Sequence, residues 1–298
     1  MRRVTLLLAV AVTASLLSST TASAAIMFVT YGNDSIVGTN YADHIIGNPG
    51  NDVLMGRAAN DIYHFDDGFG NDTLTETAFV KVGRTRLPGG TDTLSFSQYN
   101  SGGLFIYMIP QWGQSYNRAF DPQSSTANVD LGSSPVENAV AGALDDNIYG
   151  GPARNTYKGG PGGWDRYVDY GGCNPCPSGL PALAASDDTY KSLTSGTGID
   201  LVRDYGGTND RLDLRPLESS DVYFEVSDAD ADGTIDSLEI VVDDTSFYSL
   251  NSVKIEGYLS PLSEQQNGRI EQIIFSNETI TSTSEAKALV AASANEGA

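Results

Sequence analysis

Cut into nines, residues 29–64 read VTYGNDSIV, GTNYADHII, GNPGNDVLM and GRAANDIYH. The sixth residue of every unit is aspartate (Asp34, Asp43, Asp52, Asp61), and the eighth is apolar or aromatic (Ile36, Ile45, Leu54, Tyr63). Glycine opens three of the four units, and a further copy with one extra residue, FDDGFGNDTL, puts Asp72 and Leu74 in the same roles. A period of nine is neither the turn of a helix nor the alternation of a strand, so it marks an internal repeat. Each position then has a physical task. Glycine at the first and fourth positions permits left-handed turns and opens backbone carbonyls to a cation. Aspartate at the sixth carries a hard oxygen on a short stem. The next three residues are extended, with the middle one turned into a thin core. Two units complete one turn of a coil, so loops two units apart stack and can share a cation. Asp34, Asp52 and Asp72 then line one edge, and Asp43 and Asp61 the other.

The pattern resembles the RTX, or haemolysin-type, calcium-binding nonapeptide G-G-x-G-x-D-x-U-x. That resemblance implies an all-β fold: parallel β-roll segments of nonapeptide repeats plus a C-terminal β-rich domain. It also implies Ca²⁺ as cofactor at several sites. Carried over position by position, the ligands are Gly32, Asn33 and Asp34; Asp43; Gly50, Asn51 and Asp52; Asn60 and Asp61; and Asn71 and Asp72. The chain departs from the pattern at the second position (Thr30, Thr39, Asn48, Arg57) and at the fourth in two units (Tyr41, Ala59). A Cβ there strains or alters the loop, which weakens the sites built from the second and fourth units.

Further along, DIYHFDDGFGNDTLTE and GGTDTLSFS resemble strands that close such an array. A second, degenerate array follows as GALDDNIYG, GPARNTYKG and GPGGWDRYV, with Asp146, Asn155 and Asp165 in the carboxylate position. Asn155 offers a neutral oxygen, which lowers affinity for a divalent cation. SDDTY, Ser186 to Tyr190, is read as one further remnant. From about Ile199 the pattern alternates apolar with polar residues in RLDLR, DVYFEV, SLEIVV, VKIEGY and RIEQIIF, as half-buried strands do. Embedded there is DADADGTIDSLE, which places Asp228, Asp230, Asp232, Thr234 and Asp236 in the ligand positions of a calcium loop, with Gly233 at the reversal. Its flanks alternate like strands, so a calcium-clamped strand–loop–strand is expected rather than a helical hand. Glu239 falls on the face opposite Leu238 and Ile240, which leaves its part as a ligand open.

The expected organisation is 1–24 secretory signal peptide, 25–98 RTX β-roll with closing strands, 99–135 β connecting region, 136–190 second array with the CxxC loop, 191–280 β-rich domain with the DxDxDG loop, and 281–298 tail. The leader is read from Met1-Arg2-Arg3, the apolar run Val4 to Val12 and the small residues Ala22-Ser23-Ala24. The tail carries a capping-box start at Ser282 with Glu285. Cys173 and Cys176, in CNPC, could be a redox pair, half a metal site or a disulfide; the loop-like surroundings favour the disulfide.

Charge and motifs narrow the function. With 38 acidic and 17 basic residues the net charge is −21, which argues against nucleic acid or anionic lipid as a partner. Of the acidic residues, 27 are aspartate, the acid of turns and oxygen-rich metal loops rather than of helix surfaces. No H-E-x-x-H, G-x-S-x-G or P-loop occurs, and His44 and His64 flank inward positions as a weak candidate for a catalytic or zinc pair. The reading is a secreted, non-enzymatic calcium-binding protein whose β-roll folds on extracellular Ca²⁺. Its partners are calcium ions and an unidentified extracellular partner or surface glycan, with no membrane insertion. A calcium-dependent adhesin or matrix component, and a secreted hydrolase with calcium-stabilised repeats, are the alternatives.

Overall fold

A computed structural model describes residues 24–160, 162–171, 173, 176, 181–191, 198–207, 209–228, 235–242, 251–259 and 270–296. The expected leader, except Ala24, and Asp230, Asp232 and Thr234 lie outside the described residues.

Successive strands alternate between two sheets because each nonapeptide supplies one short strand and one turn. The first sheet runs Ile26–Phe28, His44–Gly47, Ile62–Asp66, Thr93–Gln98, Asn138–Val140, Thr156–Lys158, Thr189–Lys191, Asp210–Asp213, Ile270–Ile274 and Thr279–Ile280. All its joints are parallel except the last. The register is eclipsed, so one column of inward side chains, Met27, Ile45, Tyr63, Leu94, Ala139, Tyr157, Tyr190, Leu212 and Ile273, runs the length of the sheet. From Ile45 onward this column is buried to 1% exposure or less. The fold is therefore the all-β parallel β-roll that the repeat implied. The two arrays are not separate rolls: strands from both lie in the same pair of sheets around one core.

The second sheet begins Ser35–Val37, Val53–Met55, Gly70–Leu74, then takes Ala127–Asp130, Asn117–Phe120 and Phe105–Met108 before resuming with Asn147–Gly150, Arg166–Asp169, Gly198–Asp204 and Asn251–Ile255. Residues 105–130 thus form an antiparallel meander that joins the coil by parallel pairing at both ends. Opposite it the first sheet has a single strand, Thr93–Gln98, and the wider space is filled by Phe65, Phe69, Phe96 and Tyr99, whose rings pack at 5.2–5.6 Å.

At the C-terminal end the sheet finishes with Ser237–Val242 and Val222–Ser227, an antiparallel hairpin, so the acidic loop does sit between two strands. Glu239 bonds the Ser252 hydroxyl at 2.8 Å and pairs with Lys254 at 3.3 Å, both on the neighbouring strand. The tail is a helix, Thr283–Glu296, started by the Ser282 hydroxyl accepting the Glu285 N–H at 3.2 Å. It packs on Val222–Ser227, where the Phe224 N–H donates to the Ser293 hydroxyl at 3.1 Å. This end of the coil is thereby covered. At the other end Ile26 and Phe28 remain 67% and 66% exposed. Cys173 and Cys176 are disulfide-bonded and buried.

Candidate metal centres

The coil brings the aspartates together in two rows, and a backbone hydrogen bond joins each member to the next. On the second-sheet edge the Asp34 N–H donates to Asp52 Oδ1 and the Asp52 N–H to Asp72 Oδ1, both at 2.8 Å. On the first-sheet edge the Asp43 N–H donates to Asp61 Oδ1 at 2.7 Å. The Asp61 N–H donates to Asp92 Oδ1 at 2.8 Å, and the Asp92 N–H to Glu137 at 2.8 Å. The second array continues both rows. The Leu104 N–H donates to Asp146, the Asp146 N–H to Asp165 and the Asp165 N–H to Asp200, at 2.6–3.1 Å. Opposite, the Asn155 N–H donates to Asp188 and the Asp188 N–H to Asp210, each at 2.6 Å. One carboxylate oxygen per layer is thus committed to the scaffold.

The second oxygen differs between layers. In the first two units the second-position threonine takes it: Thr30 bonds Asp34 Oδ2 through N–H and hydroxyl at 2.6 Å, and Thr39 does the same for Asp43 at 2.6 and 2.9 Å. Asp146 is likewise satisfied, by the Gly142 N–H at 2.9 Å. By contrast Asp52, Asp61, Asp72 and Asp210 each keep a buried Oδ2 with no hydrogen-bond partner among the described residues. A buried ionised oxygen left in that state costs several kcal/mol unless a cation takes it up. The side-chain oxygens of Asn33, Asn51 and Asn60 accept N–H groups of Asn51, Asn71 and Thr91 at 3.0 Å, which stitches the loops in the opposite direction. What these asparagines, Gly32 and Gly50 have left to offer an ion is backbone carbonyl oxygen.

The strain expected from a Cβ at the second and fourth positions falls on one loop: Arg57 and Ala59 have φ of 88° and 72°. Tyr41 avoids the left-handed region, and its loop is held by Thr39 instead.

Two three-carboxylate clusters emerge that the period of nine does not predict. Asp61, Glu76 and Asp92 present oxygens within 4.8 Å of one another, and so do Asp188, Asp204 and Asp210. Glu76 accepts the Tyr63 hydroxyl and the Gly56 N–H. Burial, then neighbouring carboxylates, pushes Asp61 up to about 7, Asp92 to about 8 and Asp210 to about 9. Asp228 and Asp236, at the mouth of the acidic loop, join neither cluster. His44 and His64 stack on the outer face, Nδ1 to Nε2 3.0 Å apart, away from both.

This geometry fixes a pH dependence. Unfolded aspartates titrate near ~3.9, so the ion-free coil holds more protons than the unfolded chain up to the raised folded values. Its stability is then greatest at the acid end and is lost as pH rises through about 7 to about 9. Circular dichroism in chelator is expected to show strand signal, lost at pH ~8, recovering as pH falls to ~5. With calcium present the slope reverses, because protons compete for the same oxygens.

Residues 28–63 match the family model of the RTX calcium-binding nonapeptide repeat in four copies. The matched RTX segment contains Asp34, Asp43, Asp52 and Asp61, and the coil continues beyond it with Asp72 onward. No curated protein matches the chain significantly. The matched repeat is a calcium-binding one, and it covers the first four aspartates of the rows.

Proposed function

We propose that this is a secreted calcium-binding protein whose coil becomes rigid when Ca²⁺ fills its edges, acting as a non-enzymatic structural or interaction module. The observation that carries the reading is the set of buried Oδ2 atoms of Asp52, Asp61 and Asp72, without partners among the described residues, on the two edges of the matched repeats and of the copy that follows them. Hard carboxylate and carbonyl oxygens with no nitrogen or sulfur ligand suit calcium over transition metals. Ions would sit between successive loops on each edge. Gly32, Asn33, Gly50, Asn51, Asn60 and Asn71 would supply carbonyls, and Asp34, Asp43, Asp146 and Asp165 the weaker positions. Asp228, Asp230, Asp232, Thr234 and Asp236 would clamp the C-terminal hairpin separately. Among the described residues no helix is long and apolar enough to cross a membrane. Export through an N-terminal leader is part of the proposal. The interaction role is supported by half-exposed tyrosines stacked along the second sheet: Tyr107 on Tyr149 at 4.6 Å, and Tyr170 on Tyr205 at 5.4 Å.

Isothermal titration of the decalcified full chain tests the reading. Several ions per chain with dissociation constants of ~0.1–1 mM are expected, as for extracellular calcium modules. Absence of binding at millimolar calcium overturns it.

A further inference from the structure

In the second sheet, the residue two beyond the inward side chain is glycine at Gly38, Gly56 and Gly150, following Ile36, Leu54 and Ile148. After Leu74, Tyr167 and Val202 the same place holds Glu76, Asp169 and Asp204, and the sheet register stacks Gly150, Asp169 and Asp204 directly. Each acid accepts a phenol from across the core: Tyr63 donates to Glu76, Tyr157 to Asp169, and Tyr190 to Asp204, the last at 2.7 Å. Acid and tyrosine have thus replaced glycine and aliphatic residue together, three times over. At two of these places the acid meets a pair of row aspartates, which gives the clusters Asp61–Glu76–Asp92 and Asp188–Asp204–Asp210.

We propose that Asp188, Asp204 and Asp210 form a calcium site outside the recognised repeats, in which an acid reaching from the opposite sheet and braced by Tyr190 adds a third carboxylate to the row pair. The proposal deepens the calcium-binding reading and rests on it. The independent sign of a ligand is Asp210 Oδ2, fully buried and without a hydrogen-bond partner among the described residues. Asp204, Asp188 and Glu271 bear on Asp210 as like charges, while Arg154, paired with Asp187 at 3.1 Å, acts on Asp188. Both oxygens of Asp204 and of Asp188 accept from neutral donors, the Tyr190 hydroxyl and Gly206 N–H, and the Ser186 hydroxyl and Asn155 N–H, at 2.6–2.9 Å, and none of these brings positive charge. Gly207 lies so close to Asp210 Oδ2 that a Cβ there would overlap it, and the Ser186 carbonyl borders the same space. The Asp61 cluster repeats this arrangement: Gly56 lies against Asp61 Oδ2, and Tyr63 braces Glu76. Oxygens within 4.8 Å of one another fit around a cation whose ligand distances are ~2.3–2.6 Å.

The test is calcium stoichiometry of the full chain and its D204N variant, with terbium(III) luminescence excited through tyrosine as a second readout. The site predicts one fewer calcium bound by D204N, the remaining affinities being unchanged. It also predicts that Tyr190→Phe, which keeps all three acids, lowers the tyrosine-sensitised emission per bound terbium ion. A parent chain that binds calcium, with D204N binding as many ions as tightly, overturns this site and leaves the wider reading standing. A parent chain that binds none overturns both. If D204N fails to fold, the Tyr190→Phe emission decides: an undiminished signal per ion sinks the proposal.

Discussion

Excess chelator is expected to strip the strand signal from the far-ultraviolet circular dichroism spectrum at 25 °C, and calcium to restore it. The reason is the thinness of the core in the repeats, where one side chain in nine turns fully inward while carboxylates crowd both edges. At ~1 mM extracellular calcium, a site with a Kd of ~0.1 mM adds about 1.4 kcal/mol to the folded state. Five such sites add about 7 kcal/mol, comparable to the entire stability of an ordinary domain. The C-terminal hairpin and its helix, which bury Phe224, Leu238, Ile240 and Ala286, are expected to keep part of their signal. A spectrum and melting curve indifferent to chelator would refute ion-dependent folding.

Gly70→Ala is expected to be the most damaging single methyl in the repeat region, at about 3–5 kcal/mol. Gly70 has a φ of +96°, and a Cβ built on it would overlap the carbonyl oxygen of Gly50 in the loop stacked against it. Two penalties therefore coincide: a left-handed backbone and a collision with main chain that cannot swing away. Gly68→Ala is the matched control, since φ is +77° but the space around it is open. Only the backbone penalty, about 1 kcal/mol, remains there. Denaturant unfolding of both variants at saturating calcium measures the difference. Equal losses would mean that the loops do not stack as closely as described.

The regular part of the coil was legible because four aspartates spaced by nine determine both the turn and the edge each faces. Asp34, Asp52 and Asp72 fall on one row and Asp43 and Asp61 on the other, as the spacing requires. The acids that complete the clusters were not legible by period. Between Asp61 and Asp92 the chain makes an extra hairpin, Phe79–Val82 with Thr85–Pro88, which destroys the count while leaving the stacking intact. Glu76, Asp169 and Asp204 stand where the repeat has glycine, so each looks like decay of the pattern. A usable signal was present in the triplets Asp61-Ile-Tyr63, Asn155-Thr-Tyr157 and Asp188-Thr-Tyr190, since an inward tyrosine needs a partner for its hydroxyl. The departures from glycine at Thr30 and Thr39 are legible in the sequence, but not that their hydroxyls bond Asp34 Oδ2 and Asp43 Oδ2, the oxygens an ion would otherwise take.

The meander at 105–130 imposes a parity rule on growth of this architecture. Each antiparallel joint inverts the direction of travel, so an excursion confined to one wall must contain an odd number of strands if the next turn is to run with the last; here it contains three. Two or four would hand the following layer a strand pointing the wrong way. The wall that carries the excursion is wider than its opposite by two strand spacings, roughly 10 Å. An insertion of that kind widens one wall of the coil while the strands on either side of it keep the same direction.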